Sequence, residues 1–171
     1  NINGATYSTQ SQVGDNSLFF DGVDDDFTIG SSSGLRIVPF SVTGWFRLDN
    51  KSERHTFVTY RDDNNHGFEI QYNDSTDDIE AFTFDGTFHK LSSGVSPPVN
   101  TFVFFGFTWE NGVGKIYVDG SPEGSASLGL STNTSQNIGF GFSTSFLEHR
   151  LKGNLDEVLW YNEKLSDSQI Q

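Results

Sequence analysis

Four aspartates fall within six positions of SLFFDGVDDDFTIG, residues 17–30: Asp21, Asp24, Asp25 and Asp26. Carboxylates this close repel one another unless a cation sits among them. Calcium takes roughly six to eight oxygens at about 2.3–2.6 Å, drawn from carboxylates, backbone carbonyls and water. A tight turn between two strands would gather the four acids, while strand alternation keeps them from all pointing one way. Two or three of these carboxylates, with turn carbonyls such as that of Gly22, supply most of a calcium shell. The plainer alternative is a solvated acidic turn in which Asp21 and Asp24 bond backbone amides.

Other chemistry-bearing patterns are weaker. GSSSG, residues 30–34, matches a hydrolase nucleophile elbow, but that motif requires a following helix and LRIVPF is not one. DDNNHG, residues 62–67, opens like an EF-hand loop, yet its twelfth position is Asn73 rather than Glu. It reads as a turn. His55, His66, His89 and His149 are scattered, with no H-E-x-x-H pair. Glu69 with Asp74, or Asp156 with Glu157, lacks the same-face spacing that paired-carboxylate hydrolysis demands.

The elements that must position these residues read as β-strands. The chain has 171 residues and 19.0 kDa, enough for one domain with a substantial core. Seventeen Phe and 18 Gly with no Met, amid many Ser, Thr and Asn, favour strands joined by tight turns. Strand signals recur about every ten residues. SLFFDG and DFTIGS form an opening pair, followed by FSVTGWFRLD, HTFVTYRD and HGFEIQY. IEAFTFDG and TFHKLSS join at Asp85-Gly86, a hairpin signal. TFVFFGFTWENG and GKIYVDGSPEG make another hairpin, and QNIGFGFS and LKGNLDEVLWYN complete the set. Only LSDSQIQ looks helical, with Ser166 placed to cap it.

Alternation orients some of these strands. In GFEIQY, Phe68, Ile70 and Tyr72 share one face, and Glu69 and Gln71 the other. In FSVTGWFRL, Trp45 has the opposite parity to Phe40, Val42 and Phe46, so it points away from the main core. The expectation is an all-β, antiparallel two-sheet sandwich or a barrel over residues 1–171. The formal net charge of −13 and pI near 4.4 argue against nucleic acid or anionic-membrane partners. No apolar run approaches the ~20 residues needed to cross a bilayer, so membrane insertion is not expected. With no cysteine, disulfides contribute nothing. The first residues read as domain rather than leader, so a module excised from a longer, exported protein is expected.

NGATY, NSLFFDGVDDDFTIG, FSVTGWFRLD, TFVFFGFTWENGVGKIYVDG and LKGNLDEVLWYNEKLSDSQI occur in that order. Together they resemble the laminin G-like jelly-roll domain of the concanavalin A-like lectin/glucanase superfamily, over nearly the whole chain. The resemblance implies two packed antiparallel sheets, one curved to leave a concave face, calcium in many relatives, and glycan or protein binding outside cells. It also places Asp156 of GNLDEV on the strand beside the opening one, giving a calcium site of Asp21, Gly22, Asp24 and Asp156. Two departures stand out: Asp26 where relatives carry an aromatic, and Phe102 and Phe104 where they often have Trp then His. The E-x-D-x-x-E triplet of glucanases with this fold is absent, and Arg61, His66 and Tyr72 match the lyase set poorly.

Sugars are held by aromatic faces flanked by Asp, Asn and Gln. Trp45, Trp109, Tyr72 and His66 are the candidate ligand contacts, with Trp160, Tyr60, Tyr161, Asn64, Asn65 and the stretch 143–150 with Phe146 as further ones. The concave face and the loop rim remain open alternatives. Sequons occur at Asn50, Asn73 and Asn133. The leading expectation is a non-catalytic, calcium-stabilised carbohydrate-binding module, secreted or at the cell surface, with a glycan or cell-surface glycoconjugate as partner. The alternatives are a protein–protein adhesion or spacer domain, then a divergent glycan hydrolase or lyase.

Overall fold

The structure, a computed structural model, describes residues 2–30, 38–62, 66–132, 137–143 and 149–171. Among the described residues, 14 strands form two seven-stranded sheets. The first sheet runs in the order β1 (Ile2–Asn3), β4 (Asp26–Ile29), β13 (Ile138–Phe140), β6 (His55–Arg61), β7 (His66–Asn73), β8 (Asp78–Asp85) and β9 (Phe88–Ser92). The second runs β12 (Ser121–Ser127), β11 (Val113–Val118), β10 (Phe102–Glu110), β5 (Phe40–Leu48), β14 (Lys152–Tyr161), β3 (Ser17–Asp21) and β2 (Thr6–Ser8). All pairings within the sheets are antiparallel. This is the expected jelly-roll sandwich.

Phenylalanine holds the sheets together. Phe46 of β5 stacks on Phe57 of β6 with centroids 4.1 Å apart, and Phe107 of β10 faces Phe68 of β7 at 6.3 Å. Each fully buried side chain of this size contributes about 1.5–3 kcal/mol by leaving water. The short helix α1 (Asp167–Ile170) closes the outside of the second sheet, where Ile170 packs with Tyr117 and Leu165. Its Ser166 N–H donates to Gln169 Oε1 at 2.9 Å, part of the capping arrangement expected there. Among the described residues no helix is long and apolar enough to cross a membrane.

The hairpins at Asp85-Gly86 and before Val113 form as read from the sequence. The opening pair does not. β3 and β4 lie in different sheets, β3 beside β14 and β4 beside β13, so the acidic turn crosses from one sheet to the other. Both strands are apolar enough to satisfy either arrangement: Phe20 enters the core and Phe27 stacks on Phe140 at 5.2 Å. Strand β12 was not separated from the β11 segment, because SPEGSAS has no large apolar alternation and is ordered by pairing to β11.

Candidate functional site

The crossover turn brings Asp21, Asp24 and Asp25 together, with one carboxylate oxygen of each within 4.8 Å of the others. Asp21 Oδ1 accepts from the Val23 N–H at 2.7 Å, and Asp25 Oδ2 accepts from the Asp21 N–H at 2.7 Å. Asp25 is buried, and a Cβ on Gly4 would fall 2.0 Å from its Oδ1, so the backbone closes tightly on that carboxylate. Burial pushes the Asp25 carboxyl above its ordinary value; the Asp21 N–H bond lowers it, and the charges of Asp21 and Asp24 raise it further. Asp26 is turned elsewhere, toward the Asn3 amide at 3.2 Å and Arg150 at 3.9 Å.

Asp156 is not in this cluster. The family resemblance placed the right strand beside β3, but the residue opposite Asp21 is Lys152. Asp156 lies four positions further along β14, roughly 13 Å away at strand rise, where its Oδ2 accepts the Gln12 and Val13 N–H groups at 2.7 and 2.9 Å. Its place in the acidic group is taken by Asp25. Gly22 sits in the turn at φ +84°. The oxygen separations fit a hard dication held by Asp21, Asp24 and Asp25, although the Asp21 N–H and the Arg150 charge already offset part of the repulsion at Asp25.

A second feature lies on the outer face of the first sheet. Because Phe68, Ile70 and Tyr72 face the core, Glu69, Gln71 and Asn73 of β7 face away, beside Glu80, Phe82 and Phe84 of β8 and Phe88 and Lys90 of β9. These residues line a groove of about 300 Å³, with Arg54, Arg61 and His149 at its margins. One lane of the groove is aromatic. Phe88, 58% exposed, has its ring 5.1 Å from Phe82 and 5.7 Å from Phe84, and the Arg61 guanidinium lies 4.0 Å over the Phe84 ring.

The other lane is polar and buried. Glu69 accepts from the Thr56, Thr59 and Ser143 hydroxyls at 3.2, 3.2 and 2.8 Å. Glu80 accepts from Asn73 at 2.7 Å, Thr76 at 3.0 Å and Lys90 at 2.7 Å. Gln71, 1% exposed, has no hydrogen-bond partner for its Nε2 among the described residues. Leaving a buried donor unmade costs about 1–3 kcal/mol, and this amide lines the groove. Two carboxylates do share the groove, on neighbouring strands rather than on one, but each is already engaged by three protein donors.

The aromatic residues expected to touch ligand fare differently. Tyr72 and Trp109 are core residues: Tyr72 is 1% exposed with its hydroxyl on Asp77 at 3.0 Å, and Trp109 is 9% exposed with Nε1 on the Leu128 carbonyl at 2.9 Å. Neither offers a free face. Trp45 points outward, as its parity indicated, but on the second sheet, edge-on to Phe104 at 5.4 Å beside Asp119 and Gln171. His66 begins β7 with Nδ1 3.0 Å from Asp62 Oδ2, outside the groove lining. Asn64, Asn65, Phe146, Asn133 and most of GSSSG lie outside the described residues. Phe88, Gln71, Lys90 and Arg54 were not singled out by sequence reasoning. The one available signal was the outward parity of Glu69 and Gln71.

The family model of the concanavalin A-like lectin/glucanases superfamily matches residues 20–171. Among curated proteins none matches this chain by sequence. Of solved structures, domain 4 of the extracellular arabinanase AbnA from Geobacillus stearothermophilus, in complex with arabinotriose, is similar at TM-score 0.80 and 17% identity, covering 98% of this chain and 80% of that one. The CBM40 of a Ruminococcus gnavus sialidase, bound to α2,3-sialyllactose, is similar at TM-score 0.77 and 9% identity, covering 90% and 94%. The receptor-binding domain of a botulinum neurotoxin C/D mosaic serotype follows at TM-score 0.74 and 14% identity, with 99% of this chain spanning 44% of that one. At these identities the likenesses show the fold.

Proposed function

The chain belongs to the concanavalin A-like lectin/glucanase superfamily, and we propose that it is a non-catalytic, calcium-stabilised carbohydrate-binding module of an extracellular or cell-surface protein. The observation that carries this reading is the pairing of an exposed Phe88 with a buried polar lane in one groove. A sugar ring has an apolar C–H face and a rim of hydroxyls, and needs a flat aromatic surface next to fixed polar groups. Phe88 supplies the first, and Gln71 and Lys90 the second. Arabinotriose and sialyllactose on two similarly folded domains support the assignment.

A binding role suits the carboxylates. Glycoside hydrolysis needs one carboxyl to give a proton and a second to attack or to activate water. Glu69 and Glu80 instead hold the groove floor, each accepting from three protein donors. Calcium, held by Asp21, Asp24 and Asp25, would neutralise the acidic turn. Since that turn joins the two sheets, the ion would act mainly as a staple between them.

The test is a broad glycan array run in millimolar calcium and in EDTA, with thermal melts of the same samples. Retention of a defined oligosaccharide, with a melt raised by calcium, is the expected outcome. No retention in either buffer would contradict the binding reading and move the weight to adhesion or a spacer role.

A further inference from the structure

The unused hydrogen-bonding capacity of the groove is lopsided. Its carboxylates and the Asn73 carbonyl are engaged: Glu69 and Glu80 each take three protein donors, and Asn73 Oδ1 takes the Ser75 N–H at 3.1 Å. Its donors are not. Gln71 Nε2 is buried without a partner among the described residues. The Lys90 ammonium has three N–H groups and gives one to Glu80 at 2.7 Å while remaining 39% exposed. Among the described residues Arg54, at the Asn73 end, meets a loose ion pair with Asp74 at 3.7 Å, both about a third exposed. Apart from the Gln71 carbonyl, the groups left over are donors, and such a site selects a ligand rich in acceptors.

Charge points the same way. Three of the chain's ten Lys and Arg line this groove, against two of its 23 Asp and Glu. Lys90 offsets Glu80, and Glu69 keeps its charge while bonded by three hydroxyls, so the lining carries one positive charge in excess. Elsewhere a chain of formal net charge −13 repels anions, so the field of this cleft, focused by its low-dielectric walls, is where an anion can approach. Resting on the glycan-binding reading, we infer that the ligand is a sugar bearing an anionic group, a carboxylate or a sulfate, received by Gln71, Lys90 and Arg54. Such groups are acceptor-only and form the stronger, charge-assisted hydrogen bonds.

The experiment titrates the protein with matched oligosaccharides differing only in that group. The pairs are oligogalacturonate and its methyl ester, sulfated and desulfated galactan, and sialyllactose and lactose. At least one anionic member is expected to bind about tenfold or more tightly than its neutral partner. That preference shrinks several-fold as salt rises from about 50 to about 300 mM. The uronate and sialyl arms report carboxylate recognition, and the galactan arm sulfate. Gln71→Glu abolishes the preference with the thermal melt retained; if that variant fails to fold, Lys90→Met carries the same readout. Neutral members binding equally or better, without salt dependence, overturn this inference and leave the glycan-binding reading standing. No binding here or across the broad array overturns both.

Discussion

Gln71 of β7 and Glu80 of β8 stand directly opposite one another across the first sheet, with opposite hydrogen-bonding states. Glu80 is enclosed by Asn73, Thr76 and Lys90, whereas Gln71 Nε2 has no partner among the described residues. Sheets tolerate a buried polar pair when both members are satisfied. Here only one is, and the unsatisfied one lines an open groove beside an exposed phenylalanine. If the groove holds glycan, this pair is where a ligand would recover the missing hydrogen bond.

Phe88 is the first residue to test. Being 58% exposed, its replacement in Phe88→Ala should change stability by no more than about 0.5 kcal/mol. Loss of the aromatic face should weaken glycan binding roughly tenfold, about 1.4 kcal/mol. Trp45→Ala, on the opposite sheet, should leave affinity unchanged. Titration calorimetry on both variants checks the pair.

The acidic turn predicts a calcium response confined to Asp21, Asp24 and Asp25. Millimolar calcium should raise the melting temperature of the wild type by binding the native state alone. Asp25→Asn should lose most of that increase, while Asp156→Asn should keep it. A melt of Asp156→Asn that no longer responds to calcium, with Asp25→Asn still responding, would return the site to the arrangement first read from the sequence.

The raised Asp25 carboxyl gives a pH dependence of definite sign. The folded state binds this proton more tightly than the unfolded state, so ionisation destabilises the metal-free protein as pH rises from 3.8 through the raised folded value. Asp77, held low by Lys51, Asp85 by His89 and Asp167 by Lys115 act oppositely: their stabilisation is lost only as pH falls below that ordinary value. In EDTA, Asp25→Asn should therefore be at least as stable as wild type at neutral pH. The gap should narrow toward pH about 4. Urea unfolding at several pH values measures it, and a gap that widens on acidification would contradict the account.

Trp109 and Tyr72 should behave as core. Trp109→Ala should cost about 3–5 kcal/mol through a cavity and a lost bond to the Leu128 carbonyl. Tyr72→Phe should cost about 1 kcal/mol, having removed the hydroxyl that bonds Asp77 at 3.0 Å and the Lys51 carbonyl at 3.4 Å. Denaturant midpoints report both, and neither change should alter affinity in protein that remains folded.

Strand positions were legible because alternation is local: Phe68, Ile70 and Tyr72 inward, Glu69 and Gln71 outward, follow from six adjacent letters. The outward turn of Trp45 was legible in the same way. The groove was not, since it depends on which strands pair. Lys90 reaches Glu80, and Phe88 reaches Phe84, only through the β8–β9 register. Asp156 illustrates the same limit from the other side: its strand was right, and a register of four residues moved it out of the acidic cluster. Trp109, a candidate ligand contact by sequence, is instead buried with its indole N–H on the Leu128 carbonyl, a pairing that no local pattern reveals.

Glycan binding on the outer face of the first sheet can be read out residue by residue. The most direct measurement is a titration of the oligosaccharide selected on the array against wild type, Phe88→Ala, Gln71→Leu and Trp45→Ala, each confirmed folded by its melt. The account predicts that the first two variants lose affinity about tenfold while Trp45→Ala matches wild type. Undiminished binding in Phe88→Ala and Gln71→Leu, with loss in Trp45→Ala, would place the site on the opposite sheet and contradict it.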